Sequence, residues 1–272
     1  MGHYEDYVLI SDLDGTLLNS ERQVSPENKA ALKRFTEGGG HFCVATGRTP
    51  ANTVKFLQGI DINTACVFFN GAMLYDYKRH EAIREISLGG QEVRRAAACL
   101  AQKFPELFMQ VFTSETAYVV SDESLNSLYV PRITYDYTFS DLAAIQDKKW
   151  LKIMLAGGPE ALQEAAEKMK AMKLDEMFNA FFAASDCYEL VNKDASKGHM
   201  LQFLRELPEN CGRRIIAQGD YGNDTYMLQM ADVGVASGNA HAETKAAADI
   251  VGVDCNEHLA AYVIGLIDSG RI

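Results

Sequence analysis

The sequence predicts an α/β fold: a doubly wound, mainly parallel sheet interrupted by an inserted α+β domain. Up to residue 80, short apolar strand-like runs alternate with amphipathic helix-like stretches. The same alternation returns after residue 190, and between the two the strands come in pairs, as hairpins do. Strands that alternate with helices need crossovers and so favour a parallel sheet, whereas paired strands favour an antiparallel one. The boundaries read as core domain 1–85, inserted domain 86–190 and core domain 191–272, with no Gly/Ser linker, repeat or low-complexity segment.

The elements follow in order. Val8 to Ser11 form a buried strand that runs straight into Asp12, Leu13, Asp14, Gly15 and Thr16. Ser25-Pro26 starts a helix with a side-chain cap and a proline at the first helical position. Ala30, Ala31, Leu32 and Phe35 supply its apolar face, and Gly38-Gly39-Gly40 ends it. "HFCVATGR" (41–48) is a short buried strand broken by Thr46-Gly47-Arg48, and a helix is expected over 50–58. Asn70-Gly71, between "VFF" and "AMLYDY", signals a two-residue hairpin loop.

In the insert, "LFMQVFTSETAYVVS" reads as a hairpin, "WLKIMLAGG" as a strand leading into a helix over 159–172, and "FNAFFAASDCYELV" as a hairpin turning near Ser185-Asp186. Ser196 then caps a helix whose buried stripe is Met200, Leu201, Leu204 and Leu207. "RRIIAQGD" is a strand ending in Asp220, followed by a helix, the strand "DVGVAS", another helix, "DIVGV" and a closing helix over 257–267. The strands starting near 7, 41, 214 and 232 all carry polar or Gly-rich residues just past their C-terminal ends, where an open parallel sheet places its ligand site.

Composition narrows the function. The 272 residues carry a net charge of −11, which argues against nucleic acid and anionic membrane surfaces as partners. An anionic substrate then needs local positive charge. The six cysteines are scattered without a CxxC pair and read as reduced core residues. With no long apolar run and no basic-apolar leader pattern near the start, a cytoplasmic protein is expected. Oligomeric state is not legible.

Two carboxylates one residue apart at the end of a buried strand raise each other's cost of ionising, unless a divalent cation neutralises them. Hard oxygen ligands suit magnesium, which takes one or two carboxylates together with substrate phosphate oxygens. Asp220, at another strand end, is a third candidate ligand, and Asp224 follows it. Each alone could be a turn former or a helix cap; together on one sheet edge they point to a metal. Lys197 begins a helix, where the dipole disfavours a cation, so it either faces a carboxylate and a phosphate or is a solvated surface lysine. Thr46 and Gly47 offer a hydroxyl and an N–H to a phosphate oxygen, or form a plain turn. Arg48 either reaches substrate or pairs with a neighbouring carboxylate.

"DLDGT" (12–16), "ATGR" (45–48), "SKG" (196–198) and "GDYGND" (219–224) resemble, in order and spacing, the four motifs of the haloacid dehalogenase-like (HAD) phosphohydrolases. The match is closest to the Cof-like sugar-phosphatase subfamily, which "NGA" (70–72) and "SGNA" (237–240) also fit, with Ser237 where these proteins often carry methionine. The resemblance implies a HAD-like Rossmannoid core with a specificity-determining cap over 86–190. It implies Asp12 as the nucleophile that forms an aspartyl-phosphate and Asp14 as general acid and base. Magnesium would be held by Asp12, the Asp14 carbonyl and Asp220. Thr46, Gly47, Lys197, Asn223 and an N–H near Leu13 would hold the phosphoryl group, while Asp224 orients Lys197 or supports the metal's water shell. The expected activity is hydrolysis of small phosphorylated metabolites, such as sugar phosphates or phosphorylated cofactors. The alternatives are a sugar phosphomutase of the same fold and a receiver-like phospho-aspartate signalling domain. His80, Tyr75, Phe112, Tyr118 and Glu189 are candidates for facing the substrate or for plain packing.

Overall fold

The structure, a computed structural model, describes residues 3–173 and 176–272. In chain order the elements are β1 (Tyr7–Ser11), α1 (Pro26–Glu37), β2 (His41–Val44), α2 (Pro50–Val54), β3 (Cys66–Phe68), β4 (Met73–Asp76) and β5 (Glu81–Glu85). Next come α3 (Gln91–Lys103), β6 (Phe108–Phe112), β7 (Ala117–Val119), α4 (Asn126–Tyr129), β8 (Tyr137–Phe139), β9 (Lys152–Ala156), α5 (Pro159–Ala171), β10 (Phe178–Ala184) and β11 (Cys187–Asn192). The chain closes with α6 (Lys197–Glu206), β12 (Arg214–Gly219), α7 (Thr225–Met230), β13 (Val233–Ala236), α8 (Ala242–Ala247), β14 (Ile250–Val251) and α9 (Leu259–Asp268). Two compact units result, residues up to 84 with 196–272, and residues 85–195.

The first unit carries a five-stranded sheet of order β14-β13-β12-β1-β2, in which every pairing is parallel. Val8, Leu9 and Ile10 are all fully buried, so both faces of β1 are covered, as a parallel sheet requires. α1 packs on α9 and α6 on α7. β1 lies between β2, its successor in the first segment, and β12 from the second, so the strand order reverses at β1 and β12. Their C-terminal ends flank the switch point where such sheets bind ligands.

Local chemistry explains the element ends. Ser25 caps α1 by accepting from the Asn28 N–H at 3.2 Å, and Gly38 closes it. Ala30 is exposed; Asn28, Ala31, Leu32 and Phe35 form the buried face. α2 stops at Val54 rather than at 58, because the Phe56 and Leu57 N–H groups bond three residues back, to Thr53 and Val54. The hairpin at Asn70-Gly71 forms, but with a four-residue loop, since Phe68 pairs with Met73. Asn70 sits there at φ +56°, and its N–H reaches the Thr46 carbonyl. Gly71, at φ +102°, runs so close to Ser196 that a Cβ would lie 2.2 Å from its backbone. Leu207 lies just past α6 and is half-buried, and Cys211 is exposed, unlike the buried Cys43, Cys66 and Cys255.

The second unit carries a six-stranded sheet of order β10-β11-β9-β6-β7-β8, antiparallel except for the β7–β8 pair. Alternate residues Met109, Val111, Ile153, Leu155, Tyr188 and Leu190 share a core with Val93, Ala97 and Leu100 of α3 and Leu162 and Met169 of α5. The return to the first unit comes at 195/196, after β11 has run on to Asn192, whose side chain donates to the Ser87 carbonyl.

Candidate active site

β1 delivers Asp12. Its N–H continues the ladder to the Gln218 carbonyl at 2.9 Å, so Asp12 stands beside the end of β12, and it is 7% exposed. The chain then turns through Gly15 at φ +77°, where a Cβ would lie 2.5 Å from Asp220 Oδ2. Glycine is needed there for conformation and for space. The turn lets Thr16 Oγ1 donate to Asp220 Oδ1 at 2.7 Å, while Asn239 Nδ2 holds the Gly15 carbonyl at 2.8 Å.

α6 delivers Lys197. Ser196 caps the helix by accepting from the His199 N–H at 3.0 Å, which places Lys197 at the first helical position. Its side chain is fully buried, and Nζ donates to Asp12 Oδ1 at 2.5 Å and to Asp224 Oδ1 at 2.6 Å. Lys197 thus faces two carboxylates and is not a solvated surface lysine. The other Asp224 oxygen accepts from the Asp220 and Tyr221 N–H groups at 3.0 and 3.1 Å. With both oxygens engaged, Asp224 is a fixed support for the lysine.

The electrostatics show a shortage of positive charge. Burial pushes the Asp12 carboxyl well above its ordinary range; Lys197 opposes this, and Asp224 and Asp220 add to it. Burial also raises Asp220, against the Thr16 hydroxyl. Burial alone would lower the Lys197 ammonium, but Asp12 and Asp224 outweigh it and hold the group above its ordinary value. Three carboxylates thus share one ammonium. One oxygen each from Asp12, Asp220 and Asp224 lies within 4.8 Å of the others. A cluster of hard oxygens with surplus negative charge fits a small divalent cation.

A second group gathers at the end of β2. The Thr46 carbonyl accepts from the Asn70 N–H at 3.1 Å, and Thr46 Oγ1 accepts from the Arg48 N–H at 3.2 Å. Gly47 passes so close to Asn70 that a Cβ would lie 2.9 Å from its amide. Asn70 Oδ1 accepts from Asn223 Nδ2 at 3.0 Å. Asn70 therefore ties Thr46, Gly47 and Asn223 together, a role that its turn signal alone did not reveal. The other missed participants are Thr16 and Asn239, which brace Asp220 and the Gly15 turn; their only sequence signal is membership of the quoted motifs.

Asp14 stands apart from the carboxylate cluster. Its side chain is 48% exposed and receives a two-pronged bond from Arg48, with Nε and Nη2 each at 2.6 Å. The guanidinium also lies 4.5 Å over the Phe56 ring. Arg48 thus pairs with a carboxylate, and the fork fixes that carboxylate's orientation. The carboxylate cluster among the described residues comprises Asp12, Asp220 and Asp224, so Asp14 has only its backbone carbonyl to offer a metal there. Leu13 is fully buried within the same turn. Of the residues proposed to face substrate, Tyr75 packs edge-on to Phe68 and Tyr77. Glu189 pairs with Lys152 at 2.7 Å inside the second unit.

Comparison with known proteins places these features in a family. The model described as haloacid dehalogenase-like hydrolase matches residues 9–264. The phosphatase YwpJ of Bacillus subtilis is 28% identical, over 93% of this chain and 96% of its own. The pyridoxal phosphate phosphatase YbhA of Escherichia coli is 25% identical, over 94% and 97% respectively. The crystal structure of TM0651 from Thermotoga maritima superposes with a TM-score of 0.81 at 24% identity, covering 99% of this chain and 97% of that one. The HAD subclass IIB sugar phosphatase BT4131 does so at 0.75 and 22% identity, covering 98% and 100%.

Proposed function

The chain belongs to the haloacid dehalogenase-like hydrolases, and on that premise we propose that it is a magnesium-dependent phosphatase that hydrolyses small phosphorylated metabolites through an aspartyl-phosphate on Asp12. The observation that carries this reading is the buried Lys197 held between Asp12 and Asp224, with Asp220 alongside. An ammonium buried among carboxylates at a strand switch point is costly for structure alone. It suits a site that must hold a dianionic phosphate against a carboxylate nucleophile.

In the first half-reaction a carboxylate oxygen of Asp12 bonds to phosphorus as the bond to the leaving oxygen breaks, and Asp14 gives that oxygen its proton. In the second, Asp14 takes a proton from water, whose oxygen bonds to phosphorus and releases Asp12. Dividing hydrolysis in this way is the gain from a covalent nucleophile. Lys197, Thr46, Gly47, Asn223 and the N–H near Leu13 hold the phosphoryl oxygens, and positioning with charge compensation supplies most of the catalysis. Asp224 keeps Lys197 in place, Asn70 keeps Asn223, and Arg48 aims Asp14. Magnesium would be held by Asp12, the Asp14 carbonyl and Asp220, and would supply the positive charge that the three carboxylates and the phosphate lack.

Sugar phosphates and phosphorylated cofactors are the substrates in view, given the names of a related pyridoxal phosphate phosphatase and a sugar phosphatase of the same fold. The unit over 85–195 would act as the cap that selects among them. The receiver-like alternative is set aside by the family match over 9–264. Six free thiols suit a reducing cytoplasm, and among the described residues no helix is long and apolar enough to cross a membrane. The test is hydrolysis of p-nitrophenyl phosphate: EDTA abolishes it and added magnesium restores it. Full turnover without metal, or none with it, contradicts the proposal.

A further inference from the structure

One face of the parallel sheet changes character just below Asp12. Leu9 of β1 pairs with Ile216 of β12, and two residues on Ser11 pairs with Gln218; all four are fully buried. Val44 beside Ser11 and Val235 beside Gln218 are buried as well. Polar side chains in such a row cost free energy unless they are hydrogen-bonded. Ser11 Oγ donates to the Asp12 carbonyl at 2.6 Å. A hydroxyl has one hydrogen, so towards Gln218 the same oxygen can only accept, and Gln218 Nε2 donates to it at 2.7 Å. Gln218 Oε1 is buried and has no hydrogen-bond partner among the described residues. The Gln218 main-chain carbonyl accepts the Asp12 N–H at 2.9 Å, so Gln218 holds both ends of the Asp12 backbone, the far one through Ser11. The bond from the Leu17 N–H to the Asp12 carbonyl is longer, at 3.3 Å. Apolar side chains of the same shape would fill this row with no unpartnered atom and at no loss of stability, so packing does not account for the pair.

We propose that Ser11 and Gln218 are a positioning pair that aims the Leu13 N–H at the transferring phosphoryl group. The Asp12 carbonyl and the Leu13 N–H belong to one planar, trans peptide unit and point in opposite directions. Holding the carbonyl on the buried Ser11 hydroxyl therefore fixes the direction of the N–H, away from the pair. The inference rests on the proposed phosphatase reaction, in which that N–H holds a phosphoryl oxygen. A donor fixed in advance towards developing charge contributes more to the transition state than to bound substrate. Loss of the pair should then appear in kcat rather than in KM.

Ser11→Ala, Gln218→Met and the double variant test it in the full chain, with p-nitrophenyl phosphate as substrate. Ser11→Ala should lower kcat roughly tenfold or more, since an ångström of misplacement costs up to about a hundredfold, and should leave KM little changed. Gln218→Met, which frees the hydroxyl to turn, should lower kcat by a smaller factor. Inhibition by orthovanadate, which adopts the five-coordinate geometry of the transferring group, should weaken in step with kcat, while inhibition by inorganic phosphate holds. Urea unfolding isolates the structural share. Ser11→Ala leaves the Gln218 amide unpaired in an apolar row and destabilises the fold, and adding Gln218→Met removes that amide. The double variant should therefore regain stability and yet keep the low kcat of Ser11→Ala, because Gln218 acts through Ser11. A wild type without turnover would refute the phosphatase reading itself, and the inference with it. With an active wild type, an unchanged kcat in Ser11→Ala, a kcat restored together with stability in the double variant, or orthovanadate inhibition that does not follow kcat would each overturn the inference alone.

Discussion

Replacing Lys197 by methionine removes the ammonium that bridges Asp12 and Asp224 while keeping the side-chain volume. Two charge-assisted hydrogen bonds, at 2.5 and 2.6 Å, are lost, and Asp12 and Asp224 remain buried without it. Breaking a buried pair from one side costs about 3–5 kcal/mol, against a total stability of about 5–15 kcal/mol for a domain. The loss should depend on pH. Lys197 holds down an Asp12 pKa that burial has already raised, so its removal raises that pKa further. A carboxylate whose folded pKa is raised favours the folded state at low pH, and this contribution fades as pH climbs through the folded value. Every tenfold gain in the proton affinity of folded Asp12 adds about 1.4 kcal/mol to the variant's deficit at high pH. Urea unfolding in EDTA at pH 5 and pH 8 measures the difference. Far-ultraviolet circular dichroism is the probe, because Trp150, the one tryptophan, lies in the other unit. A deficit of several kcal/mol at pH 8 that shrinks at pH 5 is expected, together with loss of phosphatase activity. A deficit below about 1 kcal/mol, the range of exposed ion pairs, or one that does not vary with pH, would refute the argument.

Magnesium should raise the melting temperature more at pH 8 than at pH 5. The raised Asp12 and Asp220 carboxyls give up their protons as pH climbs above the ordinary carboxylate value, and only the ionised forms bind the ion; a tenfold excess over Kd stabilises by about 1.4 kcal/mol. Equal shifts at both pH values, read by scanning calorimetry, would deny the site its titrating ligands. Arg48→Met should lower kcat by roughly tenfold or more, within the range for general acid–base catalysis, and more for poor leaving groups such as alkyl phosphates than for p-nitrophenyl phosphate. A uniform loss across leaving groups would mean that Arg48 does not act through Asp14. Calcium should inhibit, because it accepts more oxygen ligands and can hold both oxygens of Asp12; activation by calcium in the turnover assay would contradict that.

Much of this was legible in the sequence, for physical reasons. Runs such as Val8–Ser11 and Arg214–Gly219 have no use for buried carboxylates at their ends, so Asp12 and Asp220 stood out as site candidates before any geometry was known, and the fold brings them together with Asp224. The Ser25 and Ser196 caps fixed helix starts, because side-chain capping is local. What escaped depended on contacts distant in sequence. Asn70 looked like a hairpin turn, yet its loop is four residues long and its side chain meets Asn223, a partner 153 positions away. Arg48 had two equal readings until the fold brought Asp14 against it. The end of α2 was misplaced because the drop into shorter-range bonds at Phe56 has no marker residue.

The central claim is that Asp12 attacks phosphorus. Loss of activity in Asp12→Asn cannot establish it, since a carboxylate that served only as a metal ligand would be missed equally. Stereochemistry separates the two roles. A phosphate monoester made chiral with oxygen isotopes is hydrolysed in isotopically labelled water, and the configuration of the inorganic phosphate is determined. Attack by Asp12 and then by water makes two in-line displacements, each inverting phosphorus, so the account predicts retention. Inversion would mean a single direct attack by water and would contradict the aspartyl-phosphate.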